Sequence, residues 1–395
     1  MKQITTLLLI FCFSMVYSQN ESVGNVDALL SAGKYESAYK MLDKADPKNQ
    51  QPDIVIAKTD LLLKYYVKST MHQLFGLKDL NPTEDITRLR EQNGSYSMIA
   101  FAPDSVLNKL IITNPANYKL RKALGNYYQD VYFNYPDSWF IPDSVIVDKF
   151  RDNYLLAYKN GVFDYKSLYG LGYAYLTDED YKSAILYFQK SIELKKDAPE
   201  SYFNLASAYL NSDQPQLALP NAQKALEMYV EPEDKVDAAR MTAQIYLEME
   251  QKNNAMAYFQ KANDIQPNDY YTLMPLLGLE LELDNPNYQN LTADIFSLAP
   301  DNPVVYQDLL NAYKENEKES EFMSFLENQK MDYRNNTKIQ AHICFYSGVA
   351  QYELNRWVDA KINFEKARNL FQNLFQPNHS IFKVIDSYTD AIKKK

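Results

Sequence analysis

Between residues 165 and 230 the chain repeats itself at an interval of 34 residues, and that interval restricts the fold more than any other feature. Leu171, Gly172, Tyr175, Tyr181, Ala184 and Phe188 are followed, 34 residues on, by Leu205, Ala206, Tyr209, Pro215, Ala218 and Ala222. Leu171 and Tyr175 are four apart and so lie on one face of a first helix. Gly172, Ala184 and Ser191 are small where two helices of a pair cross most closely, and Phe188 fills the gap between them. Asp178-Glu179-Asp180 supplies a polar turn. Neither helix of such a pair can bury its apolar face alone, so successive pairs must stack.

Weaker copies extend the pattern. Tyr246, Ala255, Phe259, Ala262 and Pro267 keep the spacing, with Ala243 at the glycine place and a longer linker at Glu231-Pro232-Glu233. Gly348, Trp357, Ala360, Phe364 and Ala367 match again near the end, and Gly33, Tyr35, Ala38, Leu42 and Ala45 resemble a turn plus second helix near the start. Leu124, Gly125 and Tyr128 read as a first helix whose partner is displaced by "NYPDSWFIPDS" and resumes over Val145 to Tyr158. Residues 269–333 keep a helical period, with Tyr306, Leu309, Leu310 and Tyr313 on one face. They carry Leu and Phe where small residues belong, which predicts irregular packing. Residues 68–104 match nothing in the repeat and are expected to be ordered against the neighbouring helices. In "PDSV", at Pro103–Val106 and Pro142–Val145, Asp or Ser reads as a helix N-cap. Ile381 to Ile392 reads as a closing amphipathic helix. Only 10 of 395 residues are glycine, too few for an all-β chain with many tight turns.

In "SLYGLGYAYLTDEDYKSAILYFQKSIEL" and "SYFNLASAYLNSDQPQLALPNAQKALEM" the sequence resembles the tetratricopeptide-repeat family, whose period is about 34 residues. The resemblance implies an all-α fold, a right-handed superhelical array of antiparallel helix pairs (an α-solenoid). The chain then divides into a signal peptide (1–18), N-terminal repeat-like helices (19–67), a non-standard helical region with an insertion (68–160), regular repeats (161–268), degenerate helical repeats (269–333), and a C-terminal repeat with its capping helix (334–395).

The signal peptide is read from Lys2, the apolar stretch Ile4 to Val16 and the small Ser18 before Gln19. It predicts an exported protein, periplasmic or associated with the cell envelope, or secreted. Cys12 is filler of that segment, since Phe11 is too large for a lipoprotein site. Cys344 is then the one cysteine of the mature chain and is expected to be a buried core residue. No other apolar run is long enough to span a bilayer. The formal net charge of −10 disfavours nucleic acid as a partner.

Motifs that carry chemistry are absent from the sequence. His72, His342 and His379 stand in no ligand spacing, there is no Gly-x-Ser-x-Gly elbow or glycine-rich phosphate loop, and Asp178-Glu179-Asp180 lacks the rest of a calcium loop. No metal, cofactor or catalytic residue is expected, and an enzyme with an unfamiliar site has no positive support.

The resemblance instead implies a groove presented by the first helix of each repeat, at Tyr169, Tyr173, Phe203, Asn204, Ser207 and Asn211. Asn204 would bond an extended peptide backbone, and Tyr169 and Tyr173 would offer stacking surface with a polar tip. The basic clamp that some relatives use for a C-terminal carboxylate is missing: Tyr169, Tyr173, Asp237 and Met241 occupy its places. The leading expectation is an exported, non-catalytic scaffold holding a protein or extended peptide. The alternative is a docking or carrier protein for a small ligand such as a glycan, with Trp139 in "PDSWFIP" as the stacking residue. Trp139 serves equally as the anchor of its loop.

Overall fold

The computed structural model describes residues 25–395 apart from 91 and 93, and the expected signal peptide lies outside the described residues. The chain divides into two compact units, the first reaching Ser212 and the second beginning at Asp213.

The first unit opens with α1 (residues 25–31), α2 (Tyr35–Ala45) and α3 (Pro52–Tyr65). Lys58 of α3 is completely buried, and its Nζ donates to Asp43 Oδ1, the Asp46 carbonyl and Asn49 Oδ1 at 2.7–2.8 Å. A buried ammonium is tolerable only with such a full set of acceptors.

The unmatched stretch then forms β1 (Lys68–Thr70), β2 (Leu74–Gly76), α4 (Ile86–Arg90) and β3 (Met98–Ala100), with an antiparallel sheet of order β1-β2-β3. This sheet is the departure from a wholly helical region over 68–160. Phe75, Leu77 and Phe101 bury themselves in the core of the unit, so the segment is ordered against the helices as expected.

Six helices complete the unit: α5 (Pro103–Thr113), α6 (Tyr118–Asn134), α7 (Asp143–Lys159), α8 (Tyr165–Thr177), α9 (Tyr181–Leu194) and α10 (Pro199–Asn211). The two "PDSV" motifs start helices but not by side-chain capping. Pro103 occupies the first turn of α5 with its φ already helical, Pro142 precedes α7, and neither helix has a side-chain cap. Asp104 and Asp143 sit in the first turns, where a negative charge suits the helix dipole.

The close crossing predicted for the regular repeat is present. A Cβ on Gly172 would lie 2.6 Å from the Phe188 ring, and one on Gly348 3.0 Å from Phe364. The same device joins α6 to α7, where a Cβ on Gly125 would lie 2.6 Å from Tyr154. Gly172 and Phe188 are 16 residues apart, as are Gly348 and Phe364, whereas Gly125 and Tyr154 are 29 apart. The insertion therefore adds 13 residues, spread over a longer α6, the loop 135–142 and an earlier start of α7, without breaking the pair.

The second unit contains α11 (Pro215–Met228), α12 (Pro232–Glu248), α13 (Lys252–Ile265), α14 (Tyr270–Glu282), α15 (Tyr288–Leu298), α16 (Pro303–Glu315), α17 (Glu319–Asp332), α18 (Thr337–Glu353), α19 (Trp357–Phe371) and α20 (Ser380–Ile392). Its core is continuous from Ala243 to Ile385. Leu277 and Leu310 stand at the place of Gly172 in the degenerate pairs, and both are buried. Cys344 is buried and free, and burial pushes its thiol pKa up. Tyr388 of α20 stacks on Phe364 at 4.9 Å, closing the last pair.

A backbone signature marks the repeat more evenly than the side chains do. Glu179, Asp213, Glu250, Asp284, Glu317 and Asn355 all have φ between 53° and 59°. Five of the turns share the same bond, in which Asp180, Gln251, Asn285, Lys318 and Arg356 each donate a backbone N–H to the carbonyl five residues back, at 2.8–2.9 Å. These are Schellman-type helix ends, usually closed by glycine.

Candidate functional site

The first unit contains a cleft of about 530 Å³ whose walls come from α3, α6, α8 and α10. Each helix presents one face. Lys122, Asn126, Gln129 and Phe133 follow one another at three- and four-residue steps along α6, and Lys166 and Tyr169 do so on α8. Asp60 and Lys64 come from α3, and Glu200 from α10.

Tyr154 lies buried behind the cleft wall and supports it. Its ring lies between α6 and α8, since a Cβ on either Gly125 or Gly170 would come within 2.6 Å of it. Its hydroxyl lies 3.0 Å from Asn126 Oδ1 and 2.6 Å from Gln129 Oε1, and its single proton goes to one of these carboxamide oxygens at a time, the nearer being Gln129. Complete burial pushes the phenol pKa well up, so it acts only as a neutral hydroxyl.

Two carboxylates in this cleft are driven in opposite directions. Asp164 caps α8 through the Ser167 N–H at 2.8 Å and forms an ion pair with Lys122. Burial alone would raise its pKa, but the Lys122 ammonium and the Ser167 N–H outweigh it and hold the carboxyl low. Asp60 shows the reverse balance. Although its side chain is exposed at the mouth, the walls of the concavity around it raise its pKa, and Lys122 and Asn126 offset this only in part. Lys64 and Lys166 also line the cleft. The surface is thus mixed in sign, with one apolar ring, Phe133, 46% exposed beside it.

Of the six residues expected from the sequence, Tyr169 lines this cleft. Tyr173 lies one turn on, 6.2 Å from Tyr169 between ring centroids, and packs edge-on against Tyr132 and Phe133 at 5.8 and 5.1 Å. Burial, then the neighbouring Tyr132 hydroxyl, pushes the Tyr173 pKa up. Asn204 approaches the same group: its Nδ2 donates to Tyr169 Oη at 3.2 Å and to the Glu200 carbonyl at 2.9 Å. Its amide N–H groups are therefore engaged within the protein, and it orients Tyr169. Phe203, half-buried, does not line the cleft. Ser207 and Asn211 lie further along α10, where Asn211 Nδ2 donates to the Ser207 carbonyl at 2.8 Å. The structure thus gathers Tyr169, Tyr173 and Asn204, while Phe203, Ser207 and Asn211 do not line the cleft.

Trp139 packs against Tyr135 at 5.1 Å and rests partly buried on the core of the unit, which is the anchoring role. Among the described residues no group of three or more His, Cys, Asp or Glu side chains could hold a metal ion, and no helix is long and apolar enough to cross a membrane. His342 is buried on α18 and its pKa falls to about 4, through burial and then the Lys338 charge, so it is neutral at pH 7.

Comparison with known proteins agrees with this architecture. The family model "Tetratricopeptide repeat" matches residues 165–197, 199–229 and 241–269. The chain therefore carries tetratricopeptide repeats there, on α8 to α13. A curated relative, the CTR9 homolog of Arabidopsis thaliana, is 24% identical over 150 residues, which cover 37% of this chain and 14% of that protein. The match thus spans about one seventh of the relative's length. Among solved structures, a tetratricopeptide repeat protein from Parabacteroides merdae is 15% identical, with a TM-score of 0.40 over 68% of this chain and 98% of its own. YrrB, described as a TPR protein with an unusual peptide-binding site, is 15% identical, with a TM-score of 0.34 over 58% of this chain and 94% of its own.

Proposed function

We propose that the chain is a scaffold that binds an extended segment of a partner protein across the cleft of its first unit. The observation that carries this reading is the row of outward side chains at helical spacing on α6 and α8, backed by the buried Tyr154. Carboxamides at Asn126 and Gln129 suit the alternating donors and acceptors of an extended backbone. Phe133, Tyr169 and Tyr173 offer aromatic surface at low conformational cost, as binding hot spots commonly do. The mixed charges favour a segment carrying both signs over a uniformly charged polymer. The tetratricopeptide repeats support a binding role, and the exported setting suggested by residues 1–18 is part of the proposal. The glycan reading keeps less support, because Trp139 is spent on holding its loop.

The test is a cross-linked pull-down of residues 19–395 from the native cell envelope, beside the Phe133→Ala/Tyr169→Ala double variant with an unchanged melting curve. A partner retained by the wild type and lost by the variant supports the reading. A partner kept equally by both removes the cleft from it.

A further inference from the structure

A second constellation lies at the sheet. His72 is completely buried, and both its ring nitrogens have partners: Ser69 Oγ lies 2.7 Å from Nδ1, and Asp130 Oδ2 lies 2.5 Å from Nε2. An ionised carboxylate only accepts, so Nε2 carries the ring proton and Nδ1 is left as an acceptor. The Ser69 hydroxyl is then the nearer donor to Nδ1, and Tyr135 Oη lies 3.3 Å from Ser69 Oγ and 3.2 Å from the same Nδ1, where it is a second, more distant donor. The shortest chain of donors runs from Ser69 through His72 to Asp130, with Tyr135 beside both Ser69 and the ring, which is the order that activates a serine.

Two further observations point the same way. Ser69 and Tyr135 line an open pocket of about 340 Å³, space that a ligand can enter beside the serine. The His72 ring is delivered by a turn in which Gln73 N–H bonds to the Thr70 carbonyl, and its central residues Met71 and His72 have φ of 48° and 42°. Glycine or asparagine is at ease in such a turn; methionine and histidine are held there against their preference.

We propose that Ser69, His72 and Asp130 form an acyl-transfer site that hydrolyses small carboxylic esters. This goes beyond the scaffold reading and stands on different residues from those that test it. Ser69 Oγ attacks the ester carbonyl carbon while its proton passes to His72 Nδ1. The Tyr135 hydroxyl is placed to donate to the oxygen that becomes negative. Collapse breaks the bond to the alcohol, which leaves with the proton from Nδ1. Water then attacks the acyl group on Ser69 while Nδ1 takes its proton, and as the bond to Oγ breaks that proton passes to Ser69 Oγ and the carboxylic acid is released. Asp130 is a positioning residue that holds the ring through the Nε2 proton.

The experiment uses residues 19–395 with two probes, 4-nitrophenyl acetate for turnover and a fluorophosphonate for covalent labelling followed by peptide mapping. The expected result is one adduct on Ser69 of the wild-type chain, with turnover reduced at least 100-fold in Ser69→Ala at an unchanged melting temperature. Asp130→Asn is expected to lower kcat at least tenfold with KM unchanged. Absence of an adduct on the folded wild-type chain, or turnover that persists in Ser69→Ala, overturns the proposal and leaves the constellation as a hydrogen-bonded anchor of the hairpin on α6.

Discussion

The pairs α6–α7 and α8–α9 use one packing device for two purposes. In α8–α9 a phenylalanine, Phe188, lies against Gly172 and contributes only apolar contact. In α6–α7 a tyrosine, Tyr154, lies against Gly125 and also against Gly170 of the next pair, and its hydroxyl reaches through to Asn126 and Gln129. One oxygen atom turns a closed core contact into the backing of a polar cleft. Part of the thirteen-residue insertion lengthens α6 as far as Asn134, which places Phe133 beside Tyr173. Specialisation of a repeat scaffold thus needs neither a new fold nor a new pairing, only a polar tip on a residue that was already at the crossing.

That comparison can be broken at several points. Phe188→Ala removes the ring that closes the regular pair and is expected to cost about 3–5 kcal/mol, read as the chemical-denaturation midpoint. A much smaller loss would mean that the helices re-close and that the crossing is not the main contact. Gly170→Ala pushes a methyl group into the Tyr154 ring, which is confined from both sides, and should cost about 1–3 kcal/mol. Gly278→Ala is its counterpart: nothing lies within 4 Å of the new methyl, so removing a mid-helix glycine should stabilise by about 0.5–1 kcal/mol. Equal effects at the two glycines would sink the claim that the crossing sets the requirement. Tyr154→Phe makes the special pair resemble the ordinary one. It should cost only about 1 kcal/mol of stability, while partner affinity falls because the carboxamides lose the hydroxyl that bonds them.

The sequence made the helix pairs legible because the 34-residue interval is kept by Gly172, Ala184 and Phe188 and their counterparts. It made the cleft only partly legible. Tyr169, Tyr173 and Asn204 belong to the regular repeats and could be placed by resemblance, but Asp60 and Lys64 come from a helix followed by a stretch that matches nothing. Tyr154 escaped because its distance from Gly125 is 29 residues instead of 16. The turns of the degenerate pairs were silent too, since acidic residues at Asp284 and Glu317 hold a backbone conformation that glycine normally signals. His72 and Asp130, 58 residues apart, meet only because the hairpin folds onto α6.

The central claim is that the cleft backed by Tyr154 receives a segment of another protein. Site-specific photo-cross-linking tests it most directly, with a benzophenone side chain placed at Phe133 and, as a control of similar character, at Val358, which is exposed on α19 of the second unit. The account predicts a discrete partner adduct from position 133 that disappears in a Tyr169→Ala background and is absent from position 358. An adduct from position 358 alone, or one from position 133 that Tyr169→Ala leaves unchanged, would contradict it.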